Sequence, residues 1–116
     1  MTTSTQTPSR PANTYGVTQK HIDMLTEVFA NIPSLCQVWL FGSRARGDYK
    51  LKSDFDLLIL TTDTPKTKHP TINELDYAID QSDFWYSVDI KELSQVTDPI
   101  FAKEIARDKI LLWKRP

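Results

Sequence analysis

The chain has a single cysteine, no long apolar run and no excess of basic charge. Cys36 has no partner within the 116 residues, and a lone cysteine is typical of a reducing compartment. The longest apolar runs, such as residues 38–41 and 57–60, are far shorter than the roughly 20 residues that span a bilayer. The net charge of −1 does not favour general nucleic-acid binding, which usually goes with a basic excess. We therefore predict a cytoplasmic protein that neither crosses a membrane nor binds bulk nucleic acid.

Two common site classes are not favoured. His21 and His69 have no partners at ligand spacing, so a zinc site is not expected. Gly42 and Gly47 have the spacing of a phosphate-binding P-loop, but Asp48 stands where that motif requires lysine.

Length and composition predict one globular domain. Residues 1–14 are rich in Thr, Ser and Pro and have little to bury, so we expect a disordered tail there. Residues 15–116 are expected to form a single domain.

Helical and strand patterns follow one another along this domain and predict an α/β (α+β) fold. Thr18 is a candidate N-cap for a first helix that ends before Pro33, and Thr71 and Glu74 have capping-box spacing. The expected strands are residues 38–41, 55–61, 85–90 and 110–113, and the later helices are residues 71–80 and 99–107. We expect a small mixed β-sheet packed with helices.

Three aspartates are candidates for metal-dependent chemistry. Asp54 and Asp56 are two apart at the start of a strand, so their side chains share one face and repel each other unless a cation lies between them. Asp89 stands within an apolar strand pattern, where a charge is difficult to explain by folding alone. Adjacent strands would bring all three together, and carboxylates can hold one or two Mg²⁺ ions. The alternative is a solvated strand end for the pair and a capping or turn role for Asp89.

Gly42 and Ser43 directly follow a buried strand and precede the aspartates. Glycine permits close approach to a phosphate, and N–H groups at a following helix start bind anions. A simple turn is the alternative. Arg44 and Arg46 flank this position and are either phosphate ligands or solvated loop residues.

Taken together, Gly42-Ser43-x-Ala45-Arg46-Gly47, Ser53-Asp54-x-Asp56-Leu57 and the later Asp89 resemble the minimal nucleotidyltransferase group of the DNA polymerase β superfamily. The resemblance covers residues 17–113. It implies the nucleotidyltransferase fold, with Asp54, Asp56 and Asp89 as catalytic metal ligands. It also implies that Gly42, Ser43 and Arg46 bind the nucleoside triphosphate.

Small proteins of this group resemble the antitoxins of HEPN/MNT toxin–antitoxin pairs. That resemblance implies a HEPN-family toxin as partner, ATP as substrate, Mg²⁺ as cofactor and AMP transfer to a toxin hydroxyl, such as that of a tyrosine. Two alternatives stay open: a non-enzymatic antitoxin that acts by contact, and a transferase for a small-molecule hydroxyl.

Overall fold

The computed structural model describes residues 14–63 and 70–116. These residues form four helices, four strands and two short 3-10 turns, at Thr14–Gly16 and Leu93–Gln95. The helices are α1 (Gln19–Ala30), α2 (Gly42–Arg46), α3 (Pro70–Asp80) and α4 (Pro99–Asp108). The strands are β1 (Leu35–Phe41), β2 (Phe55–Thr61), β3 (Val88–Glu92) and β4 (Ile110–Lys114). No helix in the described ranges is both long enough and apolar enough to span a membrane.

The strands form one mixed sheet in the order β3-β2-β1-β4. Strand β1 lies antiparallel to both β2 and β4, whereas β2 and β3 are parallel. The two central strands come from the apolar runs that predict them, because a strand covered on both faces needs apolar side chains on both. The expected α+β class and mixed sheet are confirmed.

Alternation along β2 separates the two faces of the sheet. Phe55, Leu57 and Ile59 belong to the main core, which also contains Leu25 and Phe29 of α1. Asp56 and Leu58 point the other way, since neighbouring strand residues face opposite sides. On that second face, α4 covers a smaller cluster through Ile105 and Phe101.

Two local predictions were wrong. The third strand begins at Val88 rather than at Trp85. The residues before it form an aromatic turn, in which the rings of Phe84 and Tyr86 pack against Phe55. Thr71 is not the N-cap, because the helix already begins at Pro70. Its N–H and hydroxyl both donate to the carboxylate of Asp63.

The first helix begins after Thr18 as expected, but the Thr18 hydroxyl contacts the His21 ring at 2.9 Å instead of capping the backbone. The predicted tail lies outside the described residues except for Thr14, and so does most of the loop expected between β2 and α3.

Candidate active site

A cavity of about 400 Å³ opens on the second face of the sheet, between the ends of β1, β2 and β3 and helix α4. Five of the six residues predicted to form a site line it: Gly42, Ser43, Arg46, Asp56 and Asp89. The chain order alone separates these residues by up to 47 positions. The sheet topology brings them to one place because β2 lies between β1, which leads into Gly42, and β3, which carries Asp89.

Asp56 and Asp89 form the acidic centre of this cavity. They are direct register partners on the parallel strands β2 and β3. Burial raises the pKa of the Asp56 carboxyl, and the charges of Asp89 and Asp54 raise it further. Ionised carboxylates held this close are unfavourable by themselves and become favourable when a cation neutralises them.

Asp54 occupies a different position from the other two aspartates. It is exposed, it immediately precedes β2 and it is not among the residues that line the cavity. Within residues 14–63 and 70–116, no three His, Cys, Asp or Glu side chains form a ready-made metal group. Asp54 nevertheless lies close enough for its charge to affect Asp56.

Gly42 explains how the backbone comes so close to Asp56. Its φ of +76° is in the left-handed region, and a Cβ at this position would overlap the Asp56 carboxylate. Only glycine fits both the conformation and the space. The approach leaves the Gly42-Ser43 backbone beside the acidic pair, where a bound phosphate would meet both.

Replacing Gly42 with alanine should therefore impair both folding and the site. Left-handed backbone costs an alanine about 1–2 kcal/mol, and the overlap must also displace Asp56. Gly47→Ala is the matched control, because Gly47 has a φ of +95° but open space around its missing Cβ. The Tm of both variants should fall, because both place an alanine in left-handed backbone. Nucleotide affinity should fall only in Gly42→Ala. Equal nucleotide affinity in the two variants would contradict a role for the close approach.

Arg46 supplies a positive charge to the cavity, and two carboxylates hold its side chain in place. Its Nε donates to Asp48 at 3.2 Å, and its Nη1 lies 3.7 Å from Asp108 of α4. The hydrogen bond to Asp48, followed by the negative charges nearby, raises the pKa of Arg46. Arg107 bonds both oxygens of Asp108 and lowers the pKa of that carboxyl. Arg46 thus stays charged and faces the cavity.

Arg44 does not belong to the site. It is 2% exposed, so both the phosphate-ligand and the solvated-loop interpretations are wrong. Its guanidinium donates to the backbone carbonyls of Tyr15, Leu51 and Ser53 at 2.8–3.3 Å. Arg44 therefore holds together the segments that precede α1 and β2.

Sequence reasoning missed the residues that close the other side of the cavity. These are Lys91 of β3 and, on α4, Phe101, Glu104, Ile105 and Asp108. Lys91 is two residues after Asp89, so strand alternation alone places both on one face. The α4 residues share one helix face by their spacing, but nothing in that spacing says which face of the sheet the helix covers.

The donor set suits a hard divalent cation. Carboxylate oxygens are the ligands that Mg²⁺ prefers, and Mg²⁺ usually takes only one or two of them, together with water and substrate phosphate oxygens. Asp56 and Asp89 supply such a pair, and the pKa of Asp56 is raised first by burial and then by the negative charges of Asp89 and Asp54. Zinc is less suited, because none of the described residues that line the cavity is His or Cys.

One family model and several solved structures match this chain. The family model described as polymerase beta, nucleotidyltransferase, matches residues 23–116. A toxin–antitoxin structure with AMP-PNP is 26% identical with a TM-score of 0.55, covering 84% of this chain and 73% of the other.

Two further solved structures are similar. A mutant of the toxin–antitoxin MntA-HpeT is 25% identical with a TM-score of 0.56, covering 84% of this chain and 72% of the other. A Sulfolobus solfataricus protein proposed to be a nucleotidyltransferase is 27% identical with a TM-score of 0.51, covering 84% and 86%. No curated protein matches the chain by sequence.

Proposed function

Because this chain belongs to the polymerase beta nucleotidyltransferase family, we propose that it is a Mg²⁺-dependent adenylyltransferase. The donor is ATP and the acceptor is a hydroxyl of a partner protein. The single observation that carries the proposal is the convergence of Gly42, Ser43, Arg46, Asp56 and Asp89 on one cavity. A phosphate cradle, a cation and a paired carboxylate site are the parts that phosphoryl chemistry needs.

In the proposed reaction the acceptor hydroxyl oxygen attacks the α-phosphorus of ATP. A new oxygen–phosphorus bond forms, the bond to the β-phosphate bridge breaks, and pyrophosphate leaves. The hydroxyl proton passes to a carboxylate oxygen of Asp89, while Gly42, Ser43 and Arg46 hold the phosphates in place. Asp54, Asp56 and Asp89 would hold Mg²⁺, which would neutralise charge on the phosphates and would lower the pKa of the hydroxyl.

We further propose that the partner is a HEPN-family toxin and that the transfer inactivates it. Support comes from the toxin–antitoxin structures to which this chain is similar. The geometry of the cavity agrees with a large acceptor. The cavity has about 400 Å³ and is open at the surface, so an acceptor that brings its own surface would complete it.

Label transfer from α-labelled ATP to a co-purified partner tests the proposal. The wild-type chain with Mg²⁺ should label the partner, and Asp89→Asn should reduce the rate at least about a hundredfold, the scale for losing one preorganised electrostatic contact. Asp83→Asn is the control, since Asp83 is also exposed but lies before β3 and does not line the cavity.

The outcomes separate the proposed function from its alternatives. Label on the partner that depends on Asp89 supports a protein adenylyltransferase. If no nucleotide is transferred and Asp89→Asn still inhibits the partner, the chain acts as an antitoxin by contact alone. Transfer to small hydroxyl compounds in the absence of partner would instead indicate a small-molecule transferase.

A further inference from the structure

Lys91 occupies a position that the reaction described above does not use. Its Nζ lies 3.6 Å from Oδ2 of Asp89, and the two side chains are 39% and 51% exposed. Both residues are on β3 and line the cavity. Of the two cations among the described lining residues, Arg46 is paired with Asp48 and Asp108. Lys91 is paired with Asp89, one of the three carboxylates proposed to hold metal.

We propose that Lys91 is a resident counter-ion that competes with the divalent cation for Asp89 and thereby couples metal binding to nucleotide binding. This inference rests on the proposed function, since it assumes that Asp56 and Asp89 hold the cation. Without nucleotide, an ammonium and a divalent ion at the same carboxylate repel each other, so Lys91 lowers the affinity of the empty site for metal.

A triphosphate changes this balance. Its oxygens add negative charge between Gly42-Ser43 and the acidic pair, and an ammonium on a flexible stem can turn towards them. Lys91 then leaves Asp89 to the cation and neutralises phosphate charge instead. By linkage, each ligand should increase the affinity for the other by the same factor. The other lining charges, Glu104 and Asp108, lie on α4 and not on the strand that carries Asp89.

The test measures the affinity for Mn²⁺ alone by the electron paramagnetic resonance signal of the free ion. Lys91→Met removes the charge and keeps the length, and it should bind Mn²⁺ about three- to tenfold more tightly than wild type, as expected for removing a nearby like charge. Lys91→Arg keeps the charge and should resemble wild type. Lys103→Met is the matched control, because Lys103 is exposed on α4 and does not line the cavity.

A second readout measures the coupling itself. The analogue α,β-methylene-ATP, whose α–β linkage cannot be cleaved, should increase the Mn²⁺ affinity of wild type by a larger factor than that of Lys91→Met. Equal or weaker Mn²⁺ binding by Lys91→Met overturns the inference. If Asp89→Asn abolishes Mn²⁺ binding in that case, the metal site of the proposed function stands without it. If neither wild type nor Lys91→Met binds Mn²⁺ at the site even with the analogue present, both proposals fail.

Discussion

Asp56→Asn should abolish most nucleotidyl transfer while making the metal-free protein more resistant to heat. Loss of a carboxylate at the centre of the cavity should slow transfer at least about a hundredfold. The same change removes a charge that burial and two neighbouring aspartates make unfavourable in the folded state. Opposite effects on activity and stability are characteristic of a residue kept for its function.

The difference in Tm between wild type and Asp56→Asn should depend on pH. Because the pKa of Asp56 is raised in the folded protein, wild type loses stability as the pH rises from the unfolded pKa through the folded one. Asp56→Asn lacks that loss, so its advantage in Tm should be absent where the carboxyl is protonated and grow to a few degrees at neutral pH.

Thermal melts in EDTA between pH 4 and pH 8 measure this difference. Added Mg²⁺ should raise the Tm of wild type, since a ligand that binds only the folded state stabilises it, and leave Asp56→Asn unchanged. Asp83→Asn, which removes an exposed charge away from the cavity, controls for the general effect of net charge. A wild-type Tm at neutral pH above that of Asp56→Asn in EDTA would contradict the unfavourable charge at Asp56.

The sequence predicts most of this site because its signals are local. A buried strand that ends in Gly42-Ser43, and a second strand that begins beside Asp56, are both visible as short patterns of apolar and polar residues. Placing Asp89 beside Asp56 requires only that two strands be neighbours, which the parallel pairing of β2 and β3 confirms. The resemblance to nucleotidyltransferases is confirmed at the level of the family.

The remaining part of the site depends on packing that no local pattern contains. Helix α4 contributes one whole side of the cavity. Its apolar face could pack on either face of the sheet, so the sequence pattern does not predict which one it covers. The predicted start of β3 is too early because Trp85 and Tyr86 are strand-forming residues, whereas the strand begins at Val88. In the structure they stack on each other at 4.2 Å in a turn, with Trp85 exposed.

Arg44 and Arg46, in one short helix, also differ in a way that the local sequence does not predict. They are two residues apart in α2 and equally basic, yet Arg44 is buried while Arg46 faces the cavity. Which of them turns inward is decided by distant segments that surround the guanidinium with aromatic rings. The three rings lie 4.5–5.2 Å from its central carbon and belong to Tyr49, Phe55 and Tyr86.

Arg44→Ala should consequently cause a large loss of stability. The substitution removes the hydrogen bonds from the guanidinium to three backbone carbonyls and the cation from three aromatic faces. Hydrogen bonds from charged donors contribute about 1.5–3 kcal/mol each. We expect the free energy of unfolding to fall by at least about 3 kcal/mol, which lowers the Tm by at least about 12 °C in a domain of this size. Arg46→Ala should change stability little, because its ion pairs are partly exposed and screened by solvent.

Arg44→Lys distinguishes a structural role from phosphate binding. Lysine keeps the charge but lacks the planar fork that reaches three carbonyls at once, so the variant should be destabilised while its folded fraction binds ATP as wild type does. Arg46→Lys should show the reverse, with normal stability and weaker ATP binding. Urea unfolding and ATP titration of the two variants, at a temperature where both are folded, measure this contrast. A stable Arg44→Lys variant with weak ATP binding would place Arg44 in the site and contradict its assignment to the core.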